Sequence, residues 1–364
     1  MESRLKKLRQ ILTEQSLDAV LISSVPNIYY LTGYGGFFTE DRDAYLFITH
    51  HNAYLITNAL YFTAVKEQVT HVEVREWSSK NTIAKIISDL ARENNVNDCG
   101  FEDNDLRVSE YTTLSSVATT LQPIDLEMFR AIKNDDEIEA IKGACAIGDK
   151  AFTYIQTQLT SGITESALAN ALELFIKQQQ TDISFHSIVA FGKNAAVPHH
   201  LSGADQLKSN MSVLVDFGVK YQNYCSDMTR TLFYGKATAE QKRIYTTVQE
   251  AQQRAIMALE KALQKTKPEK IAMKDIDQVA REYIMSQGYP SIPHTLGHGI
   301  GLEVHEGFRL YPKAPWHFAN GMVFSIEPGI YLPETAGVRI EDLFAIKDNQ
   351  LIKLTHSPRN LIEI

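Results

Sequence analysis

The chain has 364 residues, long for one domain and comfortable for two. Its composition, 44% hydrophobic and 22% charged with no low-complexity tract, excludes a disordered or fibrous protein. A formal net charge of −8, with no basic run to offset it, argues against a nucleic-acid binder. The cysteines Cys99, Cys145 and Cys225 are widely spaced and odd in number, so a reducing compartment is expected rather than a zinc pattern or a disulfide framework. The opening stretch MESRLKKLRQILTEQ is charged and lacks the apolar core and cleavage site of a signal peptide. No apolar run approaches the ~20 residues of a membrane span. These features predict a cytoplasmic protein with no membrane association.

Residues 1–16 read as an amphipathic helix with Leu5, Leu8, Ile11 and Leu12 on one face. Residues 19–23 read as a buried strand. AYLFIT and AYLIT, parted by His50-His51-Asn52, predict a hairpin over 43–57. Helices are expected at 62–69 and 82–93, a strand at 71–77, and short strands or connectors at 99–102 and 121–126. Strands alternating with helices predict an α/β domain over residues 1–125, without a catalytic constellation. His50 and His51 are read as solvated turn residues.

A charged connector, roughly Met128 to Asp136, leads into a second domain over residues 126–364. Long helices are expected at 137–159 and 164–180, the second with Thr164 as N-cap, followed by strands at 183–191, 212–220 and 224–234. The order then recurs, with helices at 238–264 and 271–287 and strands at 322–331 and 337–346. Two helices then strands, twice over, predict a duplicated α+β unit.

Each half carries acids inside apolar strands. In the first, a turn centred between Tyr221 and Gln222 would set Asp216 directly opposite Asp227. Two carboxylates buried that close repel unless a cation or a shared proton lies between them. The alternative, an edge hairpin with two solvated acids, is disfavoured by Val213, Leu214, Val215, Phe217 and Leu232 around them. In the second half, a loop centred on Glu334, with Pro333 and Gly337 as its turn residues, would set Glu327 opposite Glu341. Between these hairpins lies HTLGHGIGLEVHE, where Gly297, Gly299 and Gly301 flank His298 and allow close backbone approach and unusual φ values. It lacks the spacing of a dinucleotide fingerprint. Four carboxylates and one imidazole suit Mn²⁺, Fe²⁺, Co²⁺ or Zn²⁺, and two ions about 3.5–4 Å apart would form a hydrolytic pair. His199, His200, His294 and His305 are further candidates for proton transfer or oxyanion donation, whereas His186 has no such context.

Asp216, Asp227, His298, Glu327 and Glu341, embedded in VDFG, SDMTRT, GHGIGLEVHE, SIEPGIY and GVRIED, closely resemble the pita-bread metallopeptidases of the prolidase and aminopeptidase P group. The matching segments span most of residues 183–345. The first ~125 residues resemble, more loosely, the creatinase-type N-domain of that group. The resemblance implies a C-terminal pita-bread domain and a dinuclear Xaa-Pro exopeptidase, acting as a dipeptidase or an aminopeptidase. It would use two divalent ions per chain, foremost Mn²⁺, and take peptides with proline second. Asp216 would hold one ion and His298 the other, with Asp227 and Glu341 bridging. A bridging hydroxide would attack the carbonyl. Glu327 would sit beside His298 and accept the proton. His199 and His305 would steady the carbonyl oxygen, His294 would lie on the substrate side, and Arg339 would orient the ligands beside Tyr331. A homodimer follows by analogy.

Phe308 replaces a proline common in the family and is expected near the pocket rim, while Arg309 is a candidate anchor for a dipeptide's carboxylate as well as a candidate surface residue. A methionine aminopeptidase normally lacks the extra N-domain, and a creatinase-type amidinohydrolase lacks the metal acids. An aminopeptidase of other N-terminal specificity and a catalytically silent pita-bread binding module, as in nucleosome-handling factors, are the alternatives.

Overall fold

The computed structural model describes residues 1–333 and 335–364, so the expected loop centre at residue 334 lies outside the described residues. The chain divides into two compact units, Met1–Phe129 and Arg130–Ile364.

In the first unit the elements run α1 (Glu2–Glu14), β1 (Ala19–Ile22), α2 (Val25–Thr32), β2 (Ala44–Thr49), β3 (Ala53–Asn58), α3 (Ala59–Gln68), β4 (Glu73–Trp77), α4 (Ile83–Glu93), β5 (Asp98–Phe101), α5 (Val108–Ser115) and β6 (Thr120–Pro123). They build one mixed sheet in the order β4-β3-β2-β1-β5-β6. The expected 43–57 hairpin is β2–β3, in the register Ala44↔Thr57. Leu21, Phe47 and Ile56 of the sheet pack on Ile86, Ile87 and Leu90 of α4.

Helices α2 and α5 were not expected from the residues. The α2 segment opens on Val25-Pro26, which reads as a break, although proline is tolerated in a first helical turn. The chain entering it is held from far away: the buried Glu102 carboxylate accepts Ser23 N at 2.6 Å, Ser24 N at 2.9 Å and Ser24 Oγ at 2.7 Å.

The second unit contains α6 (Asp135–Gln158), α7 (Glu165–Gln178), β7 (Asp182–Ile183), β8 (Ile188–Phe191), β9 (Met211–Phe217), β10 (Val219–Tyr221), β11 (Tyr224–Cys225) and β12 (Met228–Tyr234). After these come α8 (Ala239–Lys265), α9 (Met273–Ser286), β13 (Gly297–His298), β14 (Arg309–Leu310), β15 (Val323–Ile326), β16 (Gly329–Leu332), β17 (Ala336–Arg339), β18 (Asp342–Lys347) and β19 (Gln350–Lys353). The helix-helix-strand order recurs as expected. Capping boxes start the first helix of each half, Asn134 with Glu137 for α6 and Thr238 with Gln241 for α8. Phe152, Ile155, Leu168 and Leu172 of α6 and α7 pack on Val213, Val215 and Leu232 of the sheet β12-β9-β8.

Two expectations are corrected here. The segment 183–191 is not one strand: β7 pairs with β10, β8 pairs with β9, and residues 184–187 pass between the sheets. The first hairpin turns at Gln222-Asn223, not at Tyr221-Gln222. Both residues take left-handed φ, 50° and 67°, as a tight right-twisted hairpin requires. Asp216 therefore pairs with Thr229 and Phe217 with Met228, so Asp227 lies diagonally across from Asp216 instead of opposite it. The shift is two residues, so both carboxylates keep the same face.

Candidate metal centre

The second hairpin has the expected register. Ile326 pairs with Asp342 and Gly329 with Arg339, so Glu327 and Glu341 face each other between two ladders of common register. Strand β13 brings His298 to this hairpin. Gly297 permits the approach, because a Cβ there would stand 1.9 Å from Ser325 O. Gly299 meets Glu306 O in the same way, at 2.3 Å. None of Gly297, Gly299 and Gly301 has a left-handed φ, so these glycines serve proximity and not unusual backbone angles.

All five expected ligand residues converge. Ligand atoms of Asp216, Asp227 and Glu341 lie within 4.8 Å of one another, and so do those of His298, Glu327 and Glu341. Asp227 also groups with His298 and His305. Three of the four acids have one oxygen fixed by the protein. Arg339 Nη2 donates to Asp216 Oδ2 at 2.6 Å, Thr229 Oγ1 to Glu341 Oε2 at 2.7 Å, and Ser325 Oγ to Glu327 Oε1 at 3.2 Å. The remaining Asp216 Oδ1, Asp227 Oδ1 and Glu341 Oε1 are buried and have no partner among the described residues. The His298 ring points Nδ1 at Gly299 O, 3.3 Å away, so Nε2 faces the acids. That Nε2 stands 3.2 Å from Glu327, 3.6 Å from Asp227 and 3.9 Å from Glu341.

The protonation energetics match a cation site. Burial, and then the charges of Glu341, Asp216 and Glu327, push the Asp227 carboxyl well above its ordinary range. Burial, and then Glu327 and Asp216, do the same to Glu341. Burial also raises Glu327, but the hydrogen bond and charge of His298, with His294 and Arg339, outweigh it and hold Glu327 at about 2. Crowded acids with buried, unpartnered oxygens fit two divalent cations and disfavour an unfilled carboxylate cluster.

Around the centre lies a cavity of about 970 Å³. His199, His294, His305 and Arg339, each expected from the sequence, line it together with the five ligands. The His305 ring sits edge-on to His298, with centroids 4.3 Å apart. Burial, then His298 and Arg309, lower His305 to about 4. Arg339 Nη1 donates to Tyr331 OH at 2.8 Å, and that hydroxyl lies 2.8 Å from His294 Nε2. A continuous chain of hydrogen bonds thus joins Asp216 to His294.

Other placements depart from expectation. Phe308 is not at the rim; it is fully buried and packs on Phe324, while its neighbour Arg309 lines the cavity. Phe308 and Leu310 are buried on either side of Arg309, the alternation of extended chain. His186, set aside in the sequence, lines the cavity from the break between β7 and β8, with its side chain 95% exposed and 3.6 Å from Glu173. No local signal marks it, because the break itself comes from pairing with two different sheets. His200 also lines the cavity, with its Nε2 2.7 Å from Glu165 Oε2.

The sequence profile of metallopeptidase family M24 matches residues 139–348, and that of the creatinase/prolidase N-terminal domain matches residues 4–132. The chain belongs to metallopeptidase family M24. An Xaa-Pro dipeptidase of Pyrococcus horikoshii is 33% identical over 367 residues, covering 100% of this chain and 99% of the relative. A solved Xaa-Pro dipeptidase from Bacillus anthracis superposes with a TM-score of 0.92 at 30% identity, over 100% of this chain and 99% of that one. A solved X-Pro aminopeptidase from Thermotoga maritima gives 0.84 at 30% identity, over 96% and 98%. These findings bear out the resemblance to the prolidase and aminopeptidase P group. Membership of M24 implies divalent metal ions, and the carboxylate and imidazole groups described above are the candidates to hold them. Among the described residues, no helix is long and apolar enough to cross a membrane.

Proposed function

We propose that the chain is a metal-dependent exopeptidase that hydrolyses the bond between an N-terminal residue and proline, with Xaa-Pro dipeptides as its preferred substrates. The observation that carries this reading is the convergence of five ligand residues, three of them with buried unpartnered oxygens, on a cavity that also holds His199, His294, His305 and Arg309. Two of the similar proteins, both Xaa-Pro dipeptidases, point the same way. A silent binding module would have no use for such oxygens.

Two bound divalent cations, manganese in this reading, supply Lewis-acid polarisation and a water made nucleophilic at neutral pH. Asp216 would hold one and His298 with Glu327 the other, and Asp227 and Glu341 would serve both. Glu327 Oε1 accepts from Ser325 Oγ, and the Glu327 carboxylate takes the water's proton and passes it to the departing proline nitrogen. His305, neutral at physiological pH, donates an N–H to the carbonyl oxygen, and His199, which lines the same cavity, does so as well. An Xaa-Pro bond has no N–H to grip, so recognition falls on the ring and the free carboxylate, and Arg309 supplies the cation for the latter. The three cysteines are free and buried, in keeping with a cytoplasmic location.

Ala-Pro should be hydrolysed in preference to Ala-Pro-Pro, and only with metal added back after chelation. Arg309→Ala should raise KM for Ala-Pro roughly tenfold or more, the scale of one charge-assisted contact. A preference for Ala-Pro-Pro that Arg309→Ala leaves untouched would replace the dipeptidase reading with an aminopeptidase. His305→Ala should lower kcat roughly 10²-fold while metal content, measured by elemental analysis, stays unchanged. Loss of metal in that variant would make His305 a ligand, as its grouping with Asp227 and His298 allows.

A further inference from the structure

Residues 197–203 carry His199 into the cavity without helix or strand to support them. The return leg is stitched to the start of α7 by backbone bonds: Ser166 N donates to Gly203 O at 2.9 Å and Glu165 N to Asp205 O at 3.1 Å. The leading leg is touched by Arg339 Nη1, 3.4 Å from Pro198 O. Beside His199 itself the side-chain anchor is His200, whose Nε2 lies 2.7 Å from Glu165 Oε2.

Glu165 is the first residue of α7, yet its side chain is 0% exposed and turns inward. Oε1 accepts Phe191 N at 2.7 Å and Asn194 Nδ2 at 2.9 Å, and Oε2 accepts Gly203 N at 3.0 Å besides the imidazole. A carboxylate offers about four acceptor sites, and here donors from β8, the short 3-10 turn Gly192–Ala196 and the His199 segment fill them. Such a fully used buried acceptor is rigid, because losing any one donor strands a desolvated lone pair.

We infer that His200, held by Glu165, is a positioning residue for His199: it fixes the adjacent backbone so that the His199 ring meets the substrate's carbonyl oxygen. This rests on the role proposed above for His199. The imidazole acts through geometry and touches no reacting atom, so its removal loosens an otherwise intact site.

Kinetics of His199→Ala, His200→Ala, His200→Gln and the His199→Ala/His200→Ala double variant on Ala-Pro, with metal content measured on each, test it. His200→Ala should lower kcat roughly tenfold with KM and metal content unchanged. His200→Gln, whose amide can still donate to Glu165, should recover most of the loss. In the His199→Ala background, His200→Ala should cost nothing further. His200→Leu, which keeps bulk without a donor, stands in where the alanine variant does not fold. An unchanged kcat in His200→Ala, no recovery in His200→Gln, or a fully additive loss in the double variant would overturn the inference. Full activity of His199→Ala would instead overturn the role of His199, and the inference with it.

Discussion

Asp227→Asn should lower Xaa-Pro hydrolysis by roughly 10³-fold or more and reduce metal loading measured by elemental analysis. Asp227 belongs to two of the three donor groups of the centre, and its Oδ1 has no other partner. An asparagine keeps the shape, removes the charge and offers an N–H where an oxygen is needed. The same substitution should leave the metal-free fold intact and make it less sensitive to pH. Asp227 and Glu341 have raised carboxyl pKa values in the folded state. The stability they contribute is therefore present at low pH and is lost as pH rises from the ordinary carboxylate range through those raised values. Glu327 acts in the opposite sense, but its stability is lost only as pH falls towards about 2, outside that window. Metal-free melting curves between pH 4 and pH 8 should thus fall less steeply for Asp227→Asn than for the parent. Full activity with full metal loading in the variant would end the two-metal reading.

Arg230→Met should lower the melting temperature by roughly 10 °C, the equivalent of about 3–5 kcal/mol for losing one partner of a buried pair. Arg230 is 1% exposed, and all five of its N–H groups are used. Nε donates to Pro358 O at 3.0 Å, and Nη1 donates to Thr229 O at 2.9 Å and to Glu341 O. Nη2 donates to Asp342 Oδ1 at 2.6 Å and to Ser357 O at 2.8 Å. The guanidinium ties β12 to β18 and to the chain end, and it grips the backbone of Thr229 and Glu341 at the metal centre. Metal affinity should fall with stability, and thermal melts with and without metal separate the two effects. A change of only 1–2 °C would mean that the unpaired Asp342 finds compensation from Lys353, 3.2 Å away, and Gln252, 3.1 Å away.

The legible part of the centre was legible for short-range reasons. An acid inside MVFSI or VRI is improbable without a ligand, and the spacing about residue 334 placed Glu327 against Glu341 as observed. The spacing about Tyr221-Gln222 misplaced Asp227, because Gln222-Asn223 is a weak turn signal beside the preferred Asn-Gly or Asp-Gly. The error spared the site, since a two-residue shift preserves the face. Phe308 and Arg309 show the reverse case: one step of strand alternation separates the core from the cavity, and no motif says which residue points where.

By itself the sequence determined the helix-strand alternation of the first unit, the duplicated helix-helix-strand order and the acids set inside apolar strands as candidate metal ligands. Each of these rests on periodicity, capping or an acid in an apolar run, which act over a few residues. Only the tertiary structure decided the diagonal placement of Asp216 and Asp227, the place of His186 on the cavity wall, the anchoring of the α2 entry by Glu102, and the anchoring of His200 by Glu165 and of Glu341 by Arg230. Those depend on partners brought together by folding, 35 residues apart for Glu165 and His200 and 111 for Arg230 and Glu341. At such separations the energy of a buried hydrogen bond leaves no local pattern to read.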